Sequence, residues 1–287
     1  MSKKIEILNL GFHPYADTFI EKKYLGFSEP IYQLACVLNT NNFLIENKIK
    51  TSDFDRYNLY DYSYTSSNSE YSKNYWKNYS QDIFNYLKKT NKIRKKLKVL
   101  EVGSNDGYLL SQFQKKGFSV LGVDASKKMC QIANKKRIKT LNLLFNLKNS
   151  KDIKKKYQSM DLIIANNVLN HSNDPENFLR AAQKLMSKKT TLIIEFPYWS
   201  NLIKDKKFDQ IYHEHISYFT VKYLNFFLKK INLLIKNIQK TEYHGGSLRI
   251  FIENKKSKFE ERIVKKFIKM EEIQGLFKKK TYDNFMN

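Results

Sequence analysis

Two cysteines, Cys36 and Cys130, are all that the 287 residues contain. That scarcity excludes a disulfide framework and a four-cysteine zinc site, and it implies a reducing compartment and a fold held by its core. Long apolar runs are missing as well. Nothing approaches the ~20 residues needed to span a bilayer, and the start, Met1-Ser-Lys-Lys-Ile-Glu, has no apolar stretch of signal-peptide type. The expectation is a cytoplasmic chain without membrane insertion. Arginine is also scarce, confined to Arg56, Arg94, Arg137, Arg180, Arg249 and Arg262. The net charge of +24, from 52 Lys+Arg against 28 Asp+Glu, ordinarily suggests a nucleic-acid surface. Specific nucleic-acid sites, however, lean on arginine forks. Here the excess is lysine, scattered with asparagine and isoleucine along the whole chain. It reads as compositional bias, leaving anionic substrates and non-specific polyanion contacts open and giving no specific nucleic-acid partner.

What is present is a globular composition, 41% hydrophobic and 28% charged, with room for one large domain or a core domain and a smaller neighbour. Residues 1–90 are rich in tyrosine, asparagine and serine and read as an irregular module, with helical period only over Asn74–Lys89. From Lys98 onward, short apolar runs bounded by turn residues alternate with helical stretches, the pattern of repeated βα units and a parallel sheet. Strands are expected at Lys98–Val102, Ser119–Val123, Thr140–Phe145, Asp161–Ala165 and Thr190–Glu195, with helices at Tyr108–Lys115, Lys127–Lys136, Lys151–Tyr157 and Pro175–Met186. A loop holding Tyr212-His-Glu-His leads to a helix near Val221–Ile231. An antiparallel pair, Leu233–Thr241 and Leu248–Glu253, then flanks Tyr243-His-Gly-Gly. Lys255–Lys280 reads as a basic, partly amphipathic helical tail.

The segment Val99-Leu-Glu-Val-Gly-Ser-Asn-Asp-Gly runs from an apolar strand into a glycine turn and a helix. Gly103 and Gly107 permit a tight turn and close approach of a ligand to the backbone. A second strand ends in Gly122-Val-Asp124, where a carboxylate can accept both hydroxyls of a ribose. Together these indicate a cofactor of adenosine type. A dinucleotide turn needs a third glycine, and here Asn105-Asp106 interrupts it. Acidic Asp106, with Glu101 just before the turn, would repel a pyrophosphate and suit a cation. S-adenosyl-L-methionine, with its sulfonium and ammonium groups, matches. Asn166, Asn167 and His171 fall at the end of the fourth expected strand, where ligands of open α/β sheets bind, although turn propensity accounts equally well for the two asparagines.

At this point the sequence resembles the S-adenosylmethionine-dependent sugar C-methyltransferases that act on nucleotide-linked 4-keto deoxysugars. The likeness is carried by Glu101-Val-Gly-Ser-Asn-Asp-Gly107, Ala165-Asn-Asn-Val-Leu-Asn-His171, Phe208-Asp-Gln-Ile-Tyr-His-Glu-His215 and His244-Gly-Gly-Ser-Leu-Arg249, in matching order and spacing. Leu10-Gly-Phe-His-Pro-Tyr-Ala-Asp and Tyr62-Ser-Tyr-Thr-Ser-Ser look like that family's first module, so coverage runs from about residue 8 to 253. The resemblance implies an α/β fold: a class I methyltransferase, Rossmann-like sheet of parallel strands with an antiparallel last strand and a small irregular N-terminal module. It divides the chain into a substrate-side module (1–90), a methyltransferase domain (91–254) and a basic C-terminal tail (255–287). It also implies His215 as the base, with Tyr64, Tyr212, Glu214 and His171 around the sugar and the enolate, and an activated sugar as the acceptor. The chemistry is coherent without the family. Methylating a carbon next to a ketone needs a base for a carbon-bound proton and donors for the enolate oxygen, and histidine and tyrosine supply both.

Two departures stand out. The family's cysteine module for zinc is reduced here to Cys36, with Asn39 at a second ligand position, so no structural zinc is expected. His213, Glu214, His215 and His244 include ligand types, but a metal site is the lesser reading. Relatives of this family also continue after the His-Gly-Gly-Ser-Leu-Arg strand into another α/β domain. This difference points to a smaller or differently carried substrate, a partner chain that supplies the missing wall, or a decayed relative. O-methylation of a sugar or other small anionic acceptor, and a non-catalytic cofactor-binding scaffold, are the alternatives.

Overall fold

The computed structural model describes residues 3–16, 20–52, 65–94, 96–255 and 261–286. The chain begins with β1 (Lys4–Pro14), β2 (Ile31–Asn39) and β3 (Ile45–Asn47), followed by α1 (Glu70–Lys89). The alternating core then runs β4 (Lys98–Val102), α2 (Tyr108–Lys115), β5 (Ser119–Asp124), α3 (Lys127–Lys135), β6 (Thr140–Asn142), α4 (Leu147–Tyr157) and β7 (Met160–Asn166). It continues through α5 (Pro175–Leu185), β8 (Met186–Pro197), α6 (Trp199–Lys204), β9 (Ser217–Tyr218) and α7 (Val221–Lys230). The chain closes with β10 (Leu233–Thr241), β11 (Ser247–Asn254), α8 (Arg262–Ile273) and α9 (Lys279–Met286). Among the described residues no helix is long and apolar enough to cross a membrane.

Seven strands form the large sheet in the order β10-β11-β8-β7-β4-β5-β6. Strands β4 to β8 run parallel, whereas β11 pairs antiparallel with both β8 and β10. This is the class I methyltransferase arrangement expected from the sequence. A parallel sheet is covered on both faces, so its strands are apolar throughout rather than alternating; β7 is buried at six of its seven positions. Helix α1 covers one face with Trp76, Tyr79, Ile83 and Leu87, spaced to share one side of the helix, against Val99, Leu110, Phe113 and Phe251. Helices α5, α7 and α8 cover the other face through Phe178, Leu179, Leu224, Phe227 and Phe267. Because β5 and β6 lie on one side of β4 and β7 and β8 on the other, the strand order reverses at β4. Open α/β sheets bind ligands in the crevice at such a reversal, outside the strand carboxyl ends.

Three segments of the first module are regular strands, Lys4–Pro14, Ile31–Asn39 and Ile45–Asn47. They form an antiparallel sheet, β1-β2-β3-β9, whose last strand comes from the distant Ser217–Tyr218 segment. The register of β1 slips between Glu6 and Leu8 and again between Asn9 and Phe12. Each slip inverts the inside–outside alternation, so the period of two that marks a strand never accumulates along the sequence. The segment expected as a basic, partly amphipathic helical tail forms two packed helices. Gly275, at φ 76°, turns the chain between α8 and α9. Leu276, Tyr282 and Phe285 are then buried against β1, β2 and α6, each burial contributing about 1.5–3 kcal/mol, while the lysines stay at the surface. Element bounds also move: the third core strand stops at Asn142, α4 starts at Leu147, and β8 spans Met186–Pro197.

Candidate active site

The turn after β4 is built on two left-handed glycines. Gly103 has φ 69°, and a Cβ there would meet Val168 at 2.9 Å; Gly107, at φ 77°, precedes α2, and its Cβ would meet Ile138 at 2.9 Å. The Gly103 N–H donates to Val123 O at 2.8 Å, which draws the turn onto the end of β5. There Asp124, 8% exposed, accepts Asn105 N–H on Oδ2 at 2.7 Å and Ser126 N–H on Oδ1 at 2.8 Å. Burial pushes its carboxyl above the usual range while these two N–H groups hold it down. Fixed in this way, the carboxylate keeps lone pairs for a vicinal pair of hydroxyls.

A cavity of about 260 Å³ opens beside this carboxylate. Leu143, Leu144 and Phe145 give it an apolar end, and Asn167, His171 and Glu214 line it elsewhere. Gly103, Asn105 and Asn167 are shared with a second lobe of about 70 Å³ that Glu101, Ser104 and Asn166 also line. In that lobe Glu101 Oε2, Ser104 Oγ, Asn166 Nδ2 and Asn167 Oδ1 are buried without a hydrogen-bond partner. Burial pushes the Glu101 carboxyl well above its usual range, helped by the negative charges of Asp106 and Asp124. Buried orphan atoms of both polarities cost stability unless a ligand meets them. They suit a ligand carrying both an ammonium and a carboxylate, and the two lobes together fit S-adenosyl-L-methionine.

Asp106 does not act as the sequence suggested. Its side chain is 1% exposed and lines neither lobe. Oδ1 accepts from Ser66 Oγ at 2.6 Å, Oδ2 accepts from Ser67 Oγ, and Lys136 lies 2.9 Å from Oδ2. Although burial alone would raise its pKa, these partners hold the carboxyl below its usual range. It ties residues 66–67 to the cofactor turn, and Lys136 offsets the charge thought to repel a pyrophosphate. Asn105 acts with it, accepting Ser66 N–H at 2.8 Å. Asn167, at φ 51°, donates its N–H to Glu195 O at 2.7 Å.

The histidine motif sits opposite. His215, 5% exposed, has Nδ1 at 2.9 Å from Gln210 O and Nε2 at 2.8 Å from the Tyr212 hydroxyl. A carbonyl only accepts, so Nδ1 carries the hydrogen and Nε2 accepts from Tyr212. Burial pushes the His215 pKa down to about 3, so the ring is neutral at ordinary pH. The His171 ring stands edge-on to it at 5.0 Å. Asn47 Nδ2, from β3 of the small sheet, donates to Tyr212 O at 3.2 Å, and β9 follows the motif directly into that sheet. His213 turns to the small sheet instead, where Nε2 lies 3.3 Å from Tyr32 O and the ring stacks on Tyr15. Among the described residues no three His, Cys, Asp or Glu side chains converge as metal ligands. Tyr64 lies outside the described residues.

Sequence reasoning missed Ser66, Ser67 and Lys136 as partners of Asp106, and Asn47 as a support of the histidine loop. Ser66 and Ser67 fall in the Tyr62-Ser-Tyr-Thr-Ser-Ser segment, but nothing local shows which partners these residues meet, because each acts across 30 or more residues.

A methyltransferase-domain family model matches residues 75–236, more than half of the chain. The C-methyltransferase NovU of Streptomyces niveus is 28% identical over 188 residues, covering 65% of this chain and 45% of that protein. A ubiquinone biosynthesis O-methyltransferase of Pelagibacter ubique is 30% identical over 109 residues, 38% of this chain and 45% of that protein. The chain thus spans less than half the length of these two relatives. Among solved structures, the plantazolicin methyltransferase BpumL, in complex with a pentazolic desmethylPZN analog and SAH, shares the fold at a TM-score of 0.50 and 14% identity, over 66% of this chain and 87% of that one. The family match, on the expected sheet and around a cavity suited to the cofactor, establishes that the chain belongs to the methyltransferase-domain family.

Proposed function

We propose that the chain methylates a carbon of an activated, nucleotide-linked keto-deoxysugar, with His215 removing the proton beside the ketone. The observation that carries this reading is a neutral, buried His215 whose one accepting nitrogen, Nε2, is paired with a tyrosine hydroxyl, close to a cavity that His171 and Glu214 line. The C-methyltransferase relative supports carbon as the acceptor atom; the sugar rests on the motif resemblance.

On this reading, Asp124 holds the ribose hydroxyls and Leu143, Leu144 and Phe145 cover the adenine. Glu101, Asn166 and Asn167 hold the amino-acid tail, with Gly103, Asn105 and Gly107 shaping the turn. When bound, S-adenosyl-L-methionine supplies an electrophilic methyl group, and S-adenosylhomocysteine leaves. The Tyr212 hydroxyl turns from Nε2 to the enolate oxygen, freeing Nε2 to take the carbon-bound proton, and the electron pair of that C–H bond becomes the enolate that forms the new C–C bond. A pKa near 3 makes free His215 a weak base, but an enolate growing beside it favours its charged form, so the two charges stabilise each other as they appear. Tyr212 and His171 donate toward the enolate oxygen, and Glu214 binds a sugar hydroxyl.

The second reading, O-methylation, is favoured by the O-methyltransferase relative. The test is transfer of a ¹³C-labelled methyl to a nucleotide-linked 4-keto deoxyhexose, followed by NMR of the product. A methyl on carbon, coupled to ring carbons, is the expected result. A methoxy signal would move the assignment to O-methylation, and no transfer to any keto sugar would overturn the proposal.

A further inference from the structure

Arg249 closes the His-Gly-Gly-Ser-Leu-Arg motif, yet neither the cofactor cavity nor the histidine loop uses it. It is 3% exposed, and its Nε donates at 2.7 Å to Oε2 of Glu195, which is 0% exposed. Tyr75 donates to the other Glu195 oxygen. A buried ion pair is poor evidence of stability, since an apolar pair of equal volume often does as well. Its position in the fold suggests another role. The guanidinium lies 4.0 Å over the ring of Tyr79, and the Tyr79 hydroxyl donates at 3.2 Å to Oδ1 of Asn166. Asn166 is 9% exposed at the end of β7, and its Nδ2 is buried in the smaller lobe without a partner. Glu195 also accepts the N–H of Asn167 on its backbone oxygen.

A phenol can donate or accept, and an asparagine amide can present either end. The cation above the Tyr79 ring withdraws electron density from the phenol oxygen, which favours donation over acceptance. Donation fixes Oδ1 toward Tyr79 and leaves the N–H₂ group facing the lobe. Without that bias the amide could turn and present an oxygen, which would repel a carboxylate.

We propose that Tyr79, held by the Arg249–Glu195 pair, is a positioning residue that fixes the Asn166 amide so that Nδ2 donates to the carboxylate of the cofactor's amino-acid tail. The inference rests on the cofactor half of the proposed function and is independent of the acceptor.

Calorimetric titration of Tyr79→Phe with S-adenosylhomocysteine and with 5′-methylthioadenosine, which keeps the nucleoside and lacks the tail, separates this role from a structural one. Phenylalanine retains the ring beneath Arg249. The expected result is about a 10-fold loss for S-adenosylhomocysteine, the scale of one hydrogen bond to a charged group, with 5′-methylthioadenosine unchanged. Equal loss for both ligands, or no loss for S-adenosylhomocysteine, would overturn the proposal. Asn166→Asp, which replaces the donor by an acceptor, should weaken the same ligand further and spare the other, and retained affinity would count against it. In an Asn166→Ala background, Tyr79→Phe should have no additional effect; additive losses would mean that the tyrosine acts elsewhere. Should wild-type protein bind both ligands equally, the tail lobe itself is misassigned, an outcome separable from failure of the variants.

Discussion

The proposed cofactor end of the site and its histidine end use their polar atoms in opposite ways. In the cofactor lobe, Glu101 Oε2, Ser104 Oγ, Asn166 Nδ2 and Asn167 Oδ1 are buried and unpartnered, so that end is complete only with a ligand. At the other end both nitrogens of His215 already have protein partners, and the ring stays neutral through burial. Their supports differ too. The cofactor turn is held by β4, β5 and β7, adjacent strands of one sheet. The histidine loop is held by Asn47 and β3 of the small sheet, about 165 residues away in the chain. A ligand-completed pocket should respond to mutation in affinity, and a preorganised catalytic pair should respond in rate.

Four expectations sharpen or break that division. The largest effect belongs to His215→Ala, which should lower the rate of methyl transfer by about 10³-fold, within the range for loss of a general base, while S-adenosylhomocysteine affinity stays within about 2-fold. A parallel loss of affinity in calorimetry would erase the distinction between the ends. Asp124→Ala should do the reverse, weakening S-adenosylhomocysteine by about 10–100-fold through loss of a charged acceptor and leaving the rate at saturating cofactor close to wild type. Unchanged affinity would mean that the ribose lies elsewhere.

The third expectation concerns protons. Because burial favours the neutral form of Glu101 in the free protein, an incoming ammonium should draw off its proton, and affinity should rise with pH. Titrations in buffers of different ionisation heat should detect this release in wild type and find it absent in Glu101→Gln, whose affinity falls about 10-fold. Release of equal size in the variant would exclude Glu101 as its source.

The smallest effect tests the attachment of α8. Glu271, fully buried, accepts Val221 N–H at 2.6 Å, Lys222 N–H at 3.0 Å and the Tyr198 hydroxyl at 2.9 Å, capping α7 from another helix. Burial pushes its pKa up to about 7 from 4.5. For a raised acid, the stabilisation is full below about pH 4.5 and is lost as pH rises through about 7. Wild-type Tm should therefore fall by about 4 °C relative to Glu271→Gln between pH 5 and pH 8. Parallel Tm curves would show that Glu271 does not titrate in this range.

The same contrast explains what the sequence disclosed. Gly103, Gly107 and Asp124 were legible because a strand, a turn and a second strand carry their signal within about two dozen residues. Tyr212-His213-Glu214-His215 was legible as chemistry, but nothing local showed that His213 faces Tyr32 while His215 faces Tyr212. Asp106 was misread because the direction of a carboxylate depends on its partners, and Ser66, Ser67 and Lys136 lie 30 to 40 residues away. The small sheet was hidden by the bulges of β1. The C-terminal segment was legible as a basic, partly amphipathic helical tail, but not its division at Gly275 into two helices, nor that Leu276, Tyr282 and Phe285 carry its burial.

The most direct measurement is hydrogen exchange at the carbon beside the ketone, followed by NMR in deuterium oxide with a nucleotide-linked 4-keto deoxyhexose and S-adenosylhomocysteine present. With no methyl to transfer, the reading leaves the proton abstraction visible by itself. Wild-type protein should exchange that hydrogen, and His215→Ala should not, although both bind S-adenosylhomocysteine. Rapid exchange in the variant would contradict His215 as the base.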